Sequence, residues 1–425
     1  MSKVVISCLC SAAKQTVVLS RTNESTSGPW GVDLCHCYDC RHSSGLLCVS
    51  YAPIRVPPSL NGLVAYPDES AQPSTTASQR YFCSTCGCHV FRYYSTVGDE
   101  EIGKSWEVAT GTIIAQVSVV DDDKSVEGDG GEEESLLLRY ARHVNTDSTK
   151  DGGLSPFIRL AGGTEPSKKR SQVINQSGGG DSKDIILEAH CRCKTVRFYI
   201  TRPDASSRLP RSPFSDLIVP TATSPREIID NPRDEKWWLR PQGRDNPDLT
   251  RYMAGTCACR SCRLAAGFEV QAWAFVPRSN IFFLPPAASS SSSSSSTHPP
   301  PPPPSDISSH ALPLDFPTLQ QTYSPLRTYE SSPGVFREFC PRCGASVFWH
   351  DRWRPDVVDV SVGLLAADEG ARAERWLDWW RGRVSFQEDA GDGRVGGAAR
   401  WGRNVVGTLA EGLRGWEEED GMVGR

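Results

Sequence analysis

Fourteen of the 16 cysteines in this 425-residue chain fall into one order that occurs twice. The first run is Cys8-x-Cys10, Cys35-x-Cys37-x-x-Cys40, then Cys83-x-x-Cys86-Gly. The second is Cys191-x-Cys193, Cys257-x-Cys259-x-x-Cys262, then Cys340-x-x-Cys343-Gly. A three-part order does not recur by chance, so the chain reads as an internal duplication. The flanks agree. Arg41 and Gly45 match Arg263 and Gly267, and Arg80-Tyr81-Phe82-Cys83 matches Arg337-Glu338-Phe339-Cys340. Cys48 and Cys88 stand outside the shared plan. The first reads as a buried small hydrophobe, and the second as a neighbour of a metal knuckle that does not ligate.

Composition narrows what so many cysteines can be for. A secreted disulfide scaffold is a short chain behind a secretory signal. Here the start, Met1-Ser-Lys-Val-Val-Ile, lacks the apolar run and cleavage site of such a signal, so a reducing, cytoplasmic setting is the default expectation. No apolar run approaches the roughly 20 residues that span a bilayer. A net charge of −5 gives no support to nucleic acid as a partner. Metal binding or thiol chemistry is what remains.

The second half has longer spacers than the first. One, about 203–250, is rich in Pro, Ser and charge, and another carries a Ser run and a Pro run at about 285–305 that cannot pack a core. The expected organisation is a first zinc domain over 1–163, a polar linker over 164–183, a second zinc domain over 184–393, and a flexible Gly- and charge-rich tail over 394–425. Around the motifs the pattern is strand. Val196, Phe198 and Ile200 alternate with Thr195, Arg197 and Tyr199, and Phe268, Val270, Ala272, Ala274 and Val276, then Val358, Val360 and Val362, recur at period two, which predicts half-buried strands. Trp376, Trp379 and Trp380 are spaced like one helical face and predict a cap on the second core. The fold class expected is all-β.

Seven cysteines per half divide as four plus three. A closed structural zinc takes four ligands, whereas a reactive zinc keeps one position exchangeable. A C-x-C paired with a distant C-x-x-C can close a four-thiolate site. The compact C-x-C-x-x-C can supply three thiolates alone, and a thiol entering the fourth position would be held as a nucleophilic thiolate. Purely structural ligation by all seven is the open alternative. Disulfides suit C-x-C poorly, and a dithiol redox role lacks the surrounding βαβ pattern. Thiolates suit iron as well as zinc, so ligand type leaves both metals open. His36 and His42 have Ala258 and Leu264 as counterparts, so they read as ordinary exposed histidines. Arg41 and Arg263 read either as attractors of a carboxylate-bearing ligand or as solvated surface arginines.

The order C-x-C, C-x-C-x-x-C and R-x-F-C-x-x-C-G resembles the glutathione-dependent formaldehyde-activating family, which includes centromere-protein-V-like (CENP-V) domains, and two tandem copies are present. The resemblance implies a tent-like β fold with two zincs per domain, four per chain. It assigns Cys8, Cys10, Cys83 and Cys86, and Cys191, Cys193, Cys340 and Cys343, to structural sites. It assigns Cys35, Cys37 and Cys40, and Cys257, Cys259 and Cys262, to reactive zincs. The implied activity is a carbon–sulfur lyase acting on glutathione, or a similar thiol, and formaldehyde or another small aldehyde. The rival reading is a non-catalytic zinc-stabilised module that binds protein, in the manner of the CENP-V-like members.

Overall fold

The structure is a computed structural model that describes residues 2–20, 30–67, 76–96, 104–117, 138–160, 185–242, 246–284, 311–322 and 325–423. The first half runs β1 (Lys3–Ile6), β2 (Gln15–Val18), β3 (Trp30–Cys35), α1 (Tyr38–Ser44), β4 (Val49–Ile54), β5 (Leu63–Pro67), β6 (Thr76–Cys83), β7 (His89–Thr96), β8 (Lys104–Ala109), β9 (Ile113–Val117) and β10 (Leu138–Val144). These strands form a small sheet ordered β2-β1-β9 and a large one ordered β10-β3-β4-β8-β7-β6-β5.

The second half opens with β11 (Ile186–His190), β12 (Arg197–Thr201), α2 (Arg226–Ile229), β13 (Leu239–Gln242), β14 (Asn246–Cys257) and α3 (Arg260–Ala266). It continues through β15 (Gln271–Pro277), β16 (Ile281–Phe283), β17 (Leu312–Pro313), α4 (Phe316–Thr322), β18 (Arg327–Ser332), β19 (Val335–Phe339), β20 (Ser346–Asp351), β21 (Val357–Ser361), β22 (Leu377–Trp379) and α5 (Gly396–Val423). The small sheet is β11-β12-β16-β17, and the large one is β13-β14-β15-β21-β20-β19-β18 with β22 parallel to β14. Strand for strand, β14-β15-β21-β20-β19-β18 repeats β3-β4-β8-β7-β6-β5. The parallel partner recurs too, since β10 pairs β3 as β22 pairs β14.

The halves meet face to face through reciprocal contacts. The amide of Leu9 donates to Leu264 O at 3.0 Å, and that of Arg192 to His42 O at 2.8 Å. Gly111 N donates to Gly267 O at 3.0 Å, while Gly363 N donates to Gly45 O at 3.2 Å. Each bond is the other with the halves exchanged, which is the signature of an isologous two-fold interface. Gly45 and Gly267 show why the sequence needs glycine there. Both close their helices at φ 81°, and a Cβ would lie 2.2 Å from Ser346 O and 2.3 Å from His89 O. Only glycine meets both demands.

Several expectations need correction. The fold is mostly β rather than all-β, and of the expected flexible tail over 394–425 the described part, 394–423, is ordered. It carries the 28-residue helix α5, whose Ala398, Trp401, Val405, Leu409 and Leu413 recur at helical spacing and are buried. Two of its glycines serve close approach: a Cβ would lie 2.2 Å from Phe157 O on Gly412 and 2.6 Å from Ala390 O on Gly402. The helix packs on the first half, where Trp401 meets Tyr140 edge-on and Trp416 stacks on Phe157. The 203–250 spacer is in part a packed cover, because Leu217, Trp237 and Trp238 enclose Met253, Phe275 and Val357. That cover explains why β15 and β21 are buried on both faces rather than half-buried. Trp376 and Trp379 are buried as a core cap should be, but they flank and end a strand, not a helix. The linker over 164–183 and the Ser/Pro run over 285–305 lie outside the described residues.

Candidate metal centres

Four cysteine groups come together, and each holds its sulfurs within 4.8 Å of one another. In the first half β1 leads into Cys8 and Cys10, and the end of β6 brings Cys83 and Cys86 to them. In the second half β11 and β19 do the same for Cys191, Cys193, Cys340 and Cys343. The knuckles are tight turns. Gly87 N returns to Cys83 O at 3.0 Å, and Gly344 N to Cys340 O at 2.9 Å. Sulfur separations are 3.5 Å for Cys8–Cys10, 3.4 Å for Cys10–Cys83 and 3.4 Å for both Cys191–Cys193 and Cys193–Cys340. Tetrahedral ligation with metal–sulfur bonds of about 2.3 Å requires edges of about 3.8 Å. These groups therefore fit a four-thiolate ion with a small outward adjustment.

The two remaining groups are local. β3 ends at Cys35, Cys37 caps α1, and Cys40 lies in its first turn, with Cys35 and Cys40 sulfurs 3.5 Å apart. Cys257, Cys259 and Cys262 repeat this at the end of β14 and the start of α3. In both, the middle sulfur accepts from the backbone N–H of the third cysteine at 3.3 Å. Cys35, Cys37 and Cys259 are half-buried, so each group reaches toward solvent. Among the described residues no His, Asp or Glu joins either trio, which leaves a fourth position for an outside ligand. All fourteen expected cysteines thus stand in the expected four-and-three groups. Cys48 and Cys88 are buried outside them, and Cys88 sits beside the first knuckle with Cys83 N bonded to its carbonyl at 2.8 Å.

A buried arginine serves each trio. Arg80 on β6 donates through Nη2 to Cys40 Sγ at 3.3 Å, and Arg337 on β19 donates to Cys262 Sγ at 3.6 Å and to Ser261 Oγ at 2.9 Å. Hydrogen bonding with Cys35 and Cys37, then the charges of Arg80 and Arg92, hold the Cys40 thiol well below its usual range despite burial. Cys262 is lowered in the same way by Cys257 and Cys259, then by Arg337. A cation against a thiolate-rich group offsets the charge that ligation concentrates there. Both arginines stand at the same place in the R-x-F-C motif, and that shared place is the signal that could have found them.

His36 and His42 are buried, not exposed. His36 Nε2 meets His143 Nδ1 at 2.9 Å, and His143 Nε2 donates to Ile158 O at 2.9 Å. His42 stacks on His190 and donates through Nδ1 to its carbonyl at 2.8 Å. Burial first, then neighbouring positive groups, pushes both pKa values down to about 3, so the rings stay neutral. Arg41 and Arg263 also point inward and are not presented to a ligand. Arg263 donates to Gly111 O at 2.6 Å and to Asp392 O at 2.8 Å, which stitches the halves together.

Residues 3–125, spanning β1 to β9 and the first seven ordered cysteines, match the family described as "Glutathione-dependent formaldehyde-activating enzyme". The likeness is to that family over this segment alone. No curated protein and no solved structure matches the chain. The match to the formaldehyde-activating family ends before β10 and does not include the second half. The likeness of that half rests on its cysteine order and strand order. No helix among the described residues is long and apolar enough to cross a membrane.

Proposed function

We propose that the two halves, 1–163 and 184–393, are tandem domains of the formaldehyde-activating kind, each holding two zinc ions. In this reading Cys8, Cys10, Cys83 and Cys86, with Cys191, Cys193, Cys340 and Cys343, clamp distant strands together. Cys35, Cys37 and Cys40, with Cys257, Cys259 and Cys262, would hold a second zinc in each half, which would supply the Lewis acidity that lowers the pKa of an arriving thiol. The activity is that of a carbon–sulfur lyase that joins glutathione, or a similar thiol, to formaldehyde or another small aldehyde. The new bond runs from sulfur to the carbonyl carbon, the thiol proton passes to the carbonyl oxygen, and no electron acceptor is needed. Arg80 and Arg337 balance charge and hold the third cysteine in place.

The observation that carries this reading is the pair of three-cysteine groups, each local, reaching solvent, and backed by a buried arginine. Zinc-edge X-ray absorption on the purified chain, with glutathione added, tests it. An average gain of sulfur at zinc supports a thiol-binding centre. An unchanged shell contradicts it and favours the protein-binding module.

A further inference from the structure

The two three-cysteine groups differ at one backbone position that the fold makes equivalent. His36 N donates to Val144 O at 3.0 Å, and Ala258 N donates to Ser385 O at 2.9 Å. The next residue is left-handed in both, Asn145 at φ 58° and Phe386 at φ 51°, and a single 3-10 turn follows, Thr146–Thr149 or Gln387–Gly391. Asn tolerates that conformation, whereas an aromatic residue is strained there. Strain kept beside a reactive group points to a role for the side chain.

The side chains give the two groups different surroundings. Asn145 Nδ2 donates to Cys35 Sγ at 3.3 Å. With Cys40 N on Cys37 and Arg80 on Cys40, every sulfur of the first trio accepts an N–H. In the second trio Cys259 and Cys262 have such donors, but among the described residues no N–H donates to Cys257. Phe386 packs there instead, with Trp273 and Trp349, against Cys257 and Cys262. Trp349 stands where the first half has Arg92, since each is the β-ladder partner of the trio's arginine.

Hydrogen bonds to a ligating sulfur draw electron density from it and leave the ion a better acceptor for one more ligand. We infer that Asn145 and Phe386 are positioning residues that set the centres apart: the first takes an incoming polar thiol in preference, and the second keeps Cys257 electron-rich in an apolar cage and takes that thiol weakly. This rests on the thiol reading above.

Cadmium-113 NMR of the cadmium-loaded full chain reads each centre by its own resonance, with Cys40→Ser and Cys262→Ser assigning the two trios. Without thiol, Asn145→Phe and the isosteric Asn145→Asp should move only the first trio's resonance. Phe386→Asn should move only the second's, toward the position of the first. On titration, the first trio should respond at about tenfold less glutathione than the second, the scale of one hydrogen bond to a charged group. Phe386→Asn should narrow that gap. Resonances that stay put in these variants, or equal glutathione demand at both trios, would overturn the inference and leave the thiol reading standing. Glutathione that moves neither resonance overturns the thiol reading, and the preference with it.

Discussion

The two halves share their inner parts and differ in what covers them. Both present the same six-strand order in the large sheet, the same two cysteine groups and the same reciprocal backbone bonds. Their outer covers come from different stretches of chain. The second half is roofed by its own 203–242 segment through Leu217, Trp237 and Trp238. The first half is roofed by α5, which belongs to the other end of the chain. Arg372 of the second half likewise grips Asp151 O at 2.6 Å and Gly153 O at 2.8 Å, and buried Arg394 pairs with Glu269 while bonding Ile113 O at 2.9 Å. The lesson is that the two halves are alike in the large-sheet frame and in the cysteine groups, and differ in their covers and in the side chains beside the three-cysteine groups. It also follows that neither half is complete alone.

The largest effect should come from the closed groups. Cys8→Ser or Cys191→Ser removes one ligand from a site that joins distant segments, and structural zinc contributes on the order of 10 kcal/mol to small zinc domains. Circular dichroism and metal content should collapse, and because the halves interlock, either variant should disturb both. Loss confined to one half would break the claim of interlocking. Next in size is the borrowed roof. Leu409 is fully buried in α5, so Leu409→Ala should cost about 2–5 kcal/mol in urea unfolding. A cost near zero would return the helix to the status of a loose tail.

The interface glycines sharpen the comparison further. Gly45→Ala and Gly267→Ala each force a side chain into a left-handed position and against a carbonyl of the other half, at about 1–3 kcal/mol or more. The two costs should be nearly equal, and clearly unequal melting shifts would argue against a two-fold interface. The smallest effect belongs to 285–305. Replacing it with a short Gly/Ser turn should leave thermal unfolding unchanged, since loop length costs only about 0.6 kcal/mol per doubling.

Much of the site was legible because cysteine spacing is a local record of metal geometry. The C-x-C-x-x-C groups close within a strand end and one helical turn, so their grouping follows from sequence alone. The C-x-C with C-x-x-C pairing needed the strand topology, yet the repeated order already suggested it. What escaped were features decided by the opposite half. His42 is buried by His190 and Arg263 by Gly111, and neither neighbour is near in sequence. The glycines of α5 read as flexibility because composition does not reveal the carbonyl of Phe157 pressing on Gly412. Arg80 was visible as a matched residue, but its reach to Cys40 depends on how β6 lies against α1.

Native mass spectrometry of the zinc-loaded chain tests the central claim most directly, because it counts metal centre by centre. The wild type should carry four ions. Cys40→Ser should remain folded with three, since its trio closes within six residues and pins little of the chain, whereas Cys8→Ser should lose its compact charge-state distribution. Two ions in the wild type, or a Cys40→Ser chain that unfolds as Cys8→Ser does, would contradict the division into closed and open centres.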